Sequence, residues 1–386
     1  MPVQKDRLVT EFEKLVSFDS ESYHERKIAD YLKAQLAELG LRVTEDRADE
    51  GLIREGVISH GPEHAGNVYG TLKGTAPGSP ILFSAHMDTV KPGNGKQAVI
   101  CEDGRITSAG DTVLGADDAG GLAAILEMLR VLREDGIPHP DLEVLFPIAE
   151  EPYGQGSRVF DYTQLQARKA FVFDLSGGLG RAAAAAPTIL ALQVTVKGRS
   201  AHAGFCPEEG IHAIRIAAEA MASLPSGWVD ESTSINFGII SGGTLRNIVP
   251  DRVSIEGEIR SLDHEKALAL ADRVRTVFEE TAARYGGSAQ VRADVQIRAY
   301  RTDPDSETAR DFHRACRETG LGEGELVDTF GGSDNNHFAQ HGIEGLVVAS
   351  AMQNVHTTEE YTTVSDLVKV AELAVALARK EERKEE

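Results

Sequence analysis

The stretch Ile81-Leu82-Phe83-Ser84-Ala85-His86-Met87-Asp88 joins a short apolar run directly to a histidine and an aspartate. Short runs rich in Val, Ile, Leu and Phe are typical of strands buried in a parallel sheet. Three later segments repeat the arrangement, with acidic or imidazole side chains placed after a hydrophobic run. They are residues 142–148 before Glu150 and Glu151, residues 170–173 before Asp174, and residues 345–350 before His356.

In open sheets of this kind, ligands bind outside the carboxyl ends of the strands, so these side chains are expected at one edge. Imidazole and carboxylate suit hydrolytic divalent metals, and two ions about 3.5–4 Å apart share a bridging carboxylate. The sequence therefore predicts a metal site with two ions. We assign His86 and Asp174 to one ion, Glu151 and His356 to the other, and Asp117 to the bridge between them.

Each ligand also has a simpler interpretation. Asp117 and Asp118 stand where a glycine-rich turn enters a helix, which is an ordinary position for capping aspartates. Asp174 would then be a turn acid before Gly177, and His356 would be a surface loop residue. One member of the Asp117–Asp118 pair can cap the helix while the other binds metal.

Asp88 and Glu150 are the two acidic neighbours without a ligand role. Asp88 lies two residues after His86 and can orient its imidazole, as carboxylates behind metal ligands do. Two cations would lower the pKa of a bridging water from near 15.7 to about 7. Glu150 is then predicted to act as general base toward this metal-bridging hydroxide and to return the proton to the leaving amine.

Composition excludes several other classes of function. The 386-residue chain has 40 Lys and Arg against 61 Asp and Glu, and this net charge of −21 disfavours nucleic acid. No run approaches the roughly 20 apolar residues of a membrane span, and the N-terminus lacks an apolar signal core, so a cytoplasmic location is expected. Cys101, Cys206 and Cys316 have no spacing that indicates a disulfide framework or a thiolate zinc site.

Length and pattern predict two domains of an α/β protein. The catalytic domain would have a mostly parallel mixed sheet flanked by helices and would comprise residues 1–187 and 301–386. Residues 188–300 would form an inserted α+β lid domain in the β-α-β-β-α-β order of ferredoxin-like units. Its predicted strands are residues 189–196, 234–240, 248–261 and 289–297, and its predicted helices are residues 210–224 and 264–285.

The lid domain supplies candidates for substrate binding. His202, Asn247 and Arg260 are polar groups near the ends of its strands and are predicted to contact the substrate. Alternatively, His202 closes a turn between glycines, and Arg260 pairs with Asp263 or Glu258. The lid could also join two subunits as a homodimer.

At these residues the chain resembles the dizinc aminoacylase and carboxypeptidase metallopeptidase family, most closely its peptidase T (tripeptide aminopeptidase) branch. The resemblance covers nearly the whole chain. It is carried by residues 84–90, residues 115–121, Glu150–Glu151, Asp174 and residues 355–357. It implies that the Asp117–Asp118 peptide bond is cis, and Ala119 departs from the lysine that relatives usually carry after the two aspartates.

Together these features predict a metal-dependent hydrolase that releases the N-terminal residue of a tripeptide. Two divalent ions are expected, zinc first, with cobalt or manganese possible because such ligand sets accept all three. The alternatives are an N-acyl amino acid deacylase or a carboxypeptidase of the same family, or a catalytically silent peptide-binding protein on the same fold.

Overall fold

A computed structural model describes residues 3–380, so the ends of the predicted first and last segments, residues 1–2 and 381–386, lie outside the described residues. The chain forms two compact units. The first unit runs to Ala184 and continues through Arg301–Asp328 and again from Ser333. The second unit comprises Ala185–Tyr300 and Thr329–Gly332. The predicted fold class, an α/β sheet domain with an inserted α+β domain, is confirmed.

Within residues 3–380 the α-helices are α1 (Lys5–Val16), α2 (Arg26–Glu38), α3 (Ala48–Arg54), α4 (Ala116–Glu134), α5 (Gln155–Val159), α6 (Ala213–Ala222), α7 (His264–Arg284), α8 (Glu307–Glu318), α9 (Asn335–Gln340) and α10 (Val364–Ala378). The strands in the first half are β1 (Arg42–Glu45), β2 (Val68–Leu72), β3 (Ile81–Ser84), β4 (Ala98–Ile100), β5 (Arg105–Ser108), β6 (Leu142–Phe146), β7 (Lys169–Leu175) and β8 (Arg181–Ala186). The remaining strands are β9 (Thr188–Lys197), β10 (Gly227–Asp230), β11 (Thr233–Gly242), β12 (Arg252–Ser261), β13 (Ser288–Ile297), β14 (Tyr300–Arg301), β15 (Glu325–Asp328), β16 (Glu344–Ala349) and β17 (Tyr361–Thr363). None of these helices combines the length and the apolar character needed to cross a bilayer.

The large mixed sheet is built around four parallel strands. Its order is β1-β2-β6-β3-β7-β16-β8-β14, with β15 also paired to β8. The neighbours β6, β3, β7 and β16 run parallel, whereas β1, β2 and β8 pair antiparallel toward the edges. Residues of β3 and β6 are buried on both faces, which is why these segments are continuous apolar runs. Because the four strands are parallel, their carboxyl ends lie at the same edge.

The second unit contains an antiparallel sheet of order β10-β11-β12-β9-β13. Helices α6 and α7 pack against this sheet, and alternate residues of β9, including Leu190, Leu192 and Val194, are buried beneath them. Strand β12 begins at Arg252, not at residue 248 as predicted. Residues 248–251 pair instead with other segments: the N–H of Val249 donates to the carbonyl of Ala201, and the carbonyl of Pro250 accepts from the N–H of Ala213. Strand β10 had no counterpart in the sequence analysis.

The alanine run at residues 182–186 forms the end of strand β8, although alanine is the strongest helix former. All five alanines are buried, and Ala182 and Ala183 pair with Val348 and Val347 of β16. The small side chains fit a strand that is covered on both faces. Packing therefore overrides the local propensity here.

Helix α4 begins with irregular backbone that carries the central aspartates. Asp117 and Asp118 have non-helical torsion angles, and the peptide bond between them is cis, as the resemblance implied. The Asp118 carboxylate accepts a hydrogen bond from the N–H of Gly121 at 3.1 Å, so Asp118 caps the regular part of the helix. Asp117 is left free for another role.

Serine favours helix N-caps, so the sequence predicts Ser365 as the cap of the last helix, but the cap is Thr363. The Thr363 hydroxyl accepts a hydrogen bond from the N–H of Asp366 at 3.1 Å, and α10 begins at Val364. Ser365 lies inside the first turn, where its hydroxyl is 2.9 Å from the Thr363 hydroxyl. A helix capped by Ser365 would begin at residue 366. The helix begins two residues earlier because its cap is Thr363, the last residue of β17.

We expect the substitution Thr363→Ala to lower the free energy of unfolding by about 1 kcal/mol, since it leaves a helix N–H without its acceptor. Ser365→Ala is the matched control and should change this free energy by less than about 0.5 kcal/mol. Urea unfolding followed by circular dichroism measures both. A larger loss for Ser365→Ala than for Thr363→Ala would show that the cap is misassigned.

Candidate metal centre

The predicted ligand side chains converge at the carboxyl edge of the four parallel strands. His86 follows β3, Glu151 follows β6, Asp174 lies at the end of β7, and His356 follows β16. Asp117 arrives from the start of α4, which packs against β3 and β7. Five side chains that are distant in sequence therefore meet within the first unit.

The first cluster consists of His86, Asp117 and Asp174. The Nε2 atom of His86 lies 2.9 Å from Oδ1 of Asp117 and 3.8 Å from Oδ1 of Asp174. All three side chains are nearly inaccessible to solvent. One imidazole and two carboxylates at this spacing form a set that can hold a divalent ion.

The second cluster consists of Asp117, Glu151 and His356. The Nε2 atom of His356 lies 3.2 Å from Oδ2 of Asp117 and 3.1 Å from Oε2 of Glu151. Asp117 is common to both clusters, and each of its two oxygens faces a different imidazole. This is the geometry expected of a carboxylate that bridges two ions.

Asp88 connects the first histidine to the turn that carries the two glutamates. Its Oδ1 atom lies 3.2 Å from Nδ1 of His86 and accepts a hydrogen bond from the N–H of Glu150 at 2.8 Å. Its Oδ2 atom accepts from the N–H of Glu151 at 3.3 Å and from the Ser22 hydroxyl at 2.7 Å. Asp88 thus fixes the imidazole and the Glu150–Glu151 turn at the same time.

Crowding of carboxylates dominates the electrostatics. Burial, together with neighbouring charges, raises the pKa of Glu150 and Asp174 well above the usual range, and burial also raises the pKa of Asp118. Burial opposes ionisation of Asp117, yet hydrogen bonds from His356 and His86 hold its pKa well below the usual range.

Both histidines of the two clusters also have raised pKa values. Hydrogen bonds to Asp117 and Glu151 raise the pKa of His356 to about 10. Burial opposes a charged His86, but its contacts with Asp117 and Asp88 raise its pKa well above the ordinary value. Protons on these imidazoles balance the surrounding carboxylates, and divalent cations would take the place of those protons.

The residues present fit a pair of divalent cations. The Oε1 atom of Glu151 is buried and accepts no hydrogen bond from the residues that the structure describes. A buried carboxylate oxygen without a donor is costly, and a cation at this place would satisfy it. The donor set of imidazole and carboxylate, without thiolate, agrees with this interpretation.

The three predicted lid residues lie in the second unit. His202 and Asn247 are on adjacent segments, because the N–H of Ala203 donates to the carbonyl of Asn247 at 2.9 Å. The His202 ring accepts from the N–H of Gly204 at 3.1 Å and stacks on the exposed ring of Phe205. Its predicted turn-closing interpretation therefore has direct structural support.

Arg260 already has partners within the second unit. Its guanidinium contacts both carboxylate oxygens of Glu258, at 2.8 and 3.1 Å. It also donates to the carbonyl oxygen of Phe330 at 2.8 Å. The pairing with Glu258 that the sequence offered as an alternative is thus present.

The sequence analysis did not identify four buried acidic residues of the first unit as supports of the candidate metal centre. Asp118 accepts from the N–H of His86, Glu25 from that of Ala149, and Glu360 from that of Asp117. Burial raises the pKa of Glu25 to about 8 and that of Glu360 to about 7. Asp334 accepts from the Ser157 hydroxyl, and burial raises its pKa to about 7. Two of the four have a sequence signal: Asp118 stands at a predicted helix cap, and Asp334 follows the glycines Gly331 and Gly332.

Known proteins share this architecture. Residues 185–286 match the family model for a peptidase dimerisation domain, and residues 67–217 match that for peptidase family M28. Protein YqjE of Bacillus subtilis is 39% identical over 375 residues, which cover 97% of this chain and 98% of YqjE.

Two solved structures are similar along almost their whole length. Aminopeptidase PepT from Bacillus cereus is 38% identical with a TM-score of 0.89, and the match covers 97% of this chain and 98% of that one. A tripeptidase from Staphylococcus aureus is 32% identical with a TM-score of 0.91 and the same coverage.

The fold and the clustered candidate ligands are those of a metallohydrolase in which an α/β unit holds the side chains that could bind metal and an α+β unit is inserted in its chain. Its similarity to PepT and to the tripeptidase exceeds 30% identity over nearly complete chains. The chain belongs to the peptidase T family of metallopeptidases, so it is a metal-dependent peptide hydrolase and the predicted family is confirmed.

We expect wild-type protein to retain two divalent ions per chain and Asp117→Asn to retain one or none. The amide offers a single oxygen as ligand, so it cannot face both clusters. Elemental analysis after exhaustive dialysis measures the stoichiometry.

Asp111→Asn is the control for this substitution, because Asp111 is exposed and precedes the same helix. It should bind metal as the wild type does. Two tightly held ions in Asp117→Asn would exclude Asp117 as the bridge.

Proposed function

We propose that this protein is an aminopeptidase that releases the N-terminal residue of tripeptides with two divalent ions at the clustered ligands. The observation that supports this most directly is the Asp117 carboxylate, whose two oxygens face His86 and His356. Glu150 follows the same strand as the ligand Glu151 and remains available for proton transfer.

His86, Asp117 and Asp174 would hold one ion, and Asp117, Glu151 and His356 would hold the other. Zinc is the first choice, and cobalt or manganese would suit the same ligands. When bound, such ions polarise a carbonyl oxygen and lower the pKa of a coordinated water. The protein's contribution is to keep the ligands in place and to move the proton.

Glu150 is the proposed general base. Its backbone is fixed by the hydrogen bond from its N–H to Asp88, and its side chain is only 8% exposed. A carboxylate in this environment takes the proton from the attacking water and delivers it to the leaving amine. Asp88 orients His86 and Glu150 together, which is its proposed part in catalysis.

The roles proposed for the second unit are substrate binding and dimerisation. His202 and Asn247 would contact the peptide, whereas Arg260 would first have to leave its pair with Glu258. A homodimer is supported by the match to a peptidase dimerisation domain. It is also supported by exposed apolar side chains of this unit, namely Phe205, Trp228, Ile239, Ile240 and Leu245.

The predicted boundaries of residues 1–187, 188–300 and 301–386 stay our proposal for the domains. The cytoplasmic location is likewise a prediction from the sequence.

Glu150→Gln should lower kcat by about 100- to 10,000-fold, because the amide cannot accept a proton from water. Metal content should stay at two ions per chain, since Glu150 is not a proposed ligand. The control is Glu102→Gln, an exposed glutamate in the turn between β4 and β5, which should retain wild-type turnover. Unchanged turnover in Glu150→Gln would remove Glu150 from its proposed role.

The free amine of the substrate distinguishes an aminopeptidase from the alternatives within the family. We expect release of the first residue from unmodified tripeptides and no reaction with the same peptides after N-acetylation, which removes the cationic amine. Chromatography of the products identifies the bond that is cut. Release of the C-terminal residue first would indicate a carboxypeptidase, and removal of acetyl groups would indicate a deacylase.

A further inference from the structure

The loop that carries His356 is closed at its base and exposed at its tip. Gln353 and Tyr361 exchange two backbone hydrogen bonds, of 3.0 and 3.1 Å, across the base. The His356 side chain is 51% exposed, and its backbone has a φ of 63°, in the left-handed region. The imidazole itself contacts Asp117 and Glu151, and the closed base sets the path of the loop that presents it to them.

Glu360 anchors that base to the turn that presents Asp117. It lies beside Tyr361 and is 1% exposed. Its Oε2 atom accepts a hydrogen bond from the N–H of Gly115 at 2.7 Å, and its Oε1 atom accepts from the N–H of Asp117 at 3.0 Å. Both oxygens of one carboxylate are thus used to hold a segment more than 240 residues away.

A second buried side chain also packs against this turn. Gly115 has a φ of 77°, and a Cβ atom added there would lie 3.0 Å from Cε of the buried Lys96. The Nζ atom of Lys96 donates to the carbonyl oxygens of Phe18 and Gly93, at 2.9 and 2.8 Å. The backbone before Asp117 is therefore closely packed as well as hydrogen-bonded to Glu360.

We infer that Glu360 is a positioning residue that sets the distance between Asp117 and His356, and so the geometry of the second metal cluster. This inference rests on the proposed function for the presence of two ions. The Glu360 carboxylate acts on Asp117 through the backbone N–H of that residue, and on His356 through the loop that carries both Glu360 and His356.

Glu360→Gln tests this role because an amide has the same shape but only one acceptor oxygen. Its NH2 group would meet one of the two backbone N–H donors, so one hydrogen bond is lost and a repulsion is added. Glu359→Gln is the matched control, since Glu359 is the exposed neighbour and the change in charge is the same.

The readout is binding of Mn²⁺ alone to protein freed of metal by a chelator. Titration calorimetry gives the affinities, and electron paramagnetic resonance reports the spin coupling between two bound ions. We expect Glu360→Gln to bind at least one ion about ten- to a hundredfold more weakly and to show altered coupling, as is usual when a supporting partner of a metal ligand is lost. Glu359→Gln should match the wild type in both measurements.

Circular dichroism of the metal-free proteins checks that Glu360→Gln is folded. Glu360→Asp serves as the second variant: it keeps the charge but is one methylene shorter, so it cannot reach both N–H groups, and a smaller loss of affinity is expected. Wild-type affinities and coupling in a folded Glu360→Gln or Glu360→Asp protein would overturn the inference. Failure of the wild type to cleave tripeptides while it binds two coupled ions would overturn only the proposed substrate.

Discussion

The central interaction of this protein is the contact of one buried carboxylate with two imidazoles. Asp117 faces His86 and His356 with separate oxygens, and both histidines lie at the ends of segments that follow parallel strands. A buried charge of this kind persists only where opposite charges or donors surround it. The remaining side chains of the centre can be understood as the means of keeping Asp117 ionised and in place.

Parallel strand pairing makes this convergence possible. Strands β6, β3, β7 and β16 are adjacent and point the same way, so residues that follow them meet without any long side chain having to reach across the sheet. An antiparallel arrangement would have sent alternate strand ends to opposite edges. The fold class and the site are therefore consequences of the same topology, which is why one apolar run followed by His86 and Asp88 is informative about both.

The sequence analysis predicted the side chains that follow strands. It did not predict the carboxylates that hydrogen-bond to the backbone of segments distant in sequence. Glu360 stands in Thr357-Thr358-Glu359-Glu360-Tyr361, which has the composition of an exposed charged loop, and only the folded chain brings it to the N–H of Asp117. Glu25 likewise lies in a polar segment, yet it is buried and accepts hydrogen bonds from the N–H groups of Tyr23 and Ala149. The alanines of β8 misled for a different reason. Burial between neighbouring strands outweighs their helix preference, which is up to about 0.7 kcal/mol per residue.

The supporting carboxylates share one property that bears on metal binding. Asp88, Asp118, Glu25 and Glu360 each accept hydrogen bonds from backbone N–H groups. A backbone N–H orients a carboxylate as a lysine or arginine would, but it adds no net charge. A guanidinium at the same place would compete with a divalent ion for the carboxylates and cancel the negative potential that attracts it. Because neutral backbone N–H groups hold these carboxylates, the centre is both rigid and negatively charged. This combination favours tight binding of two cations that are separated by a single bridging carboxylate.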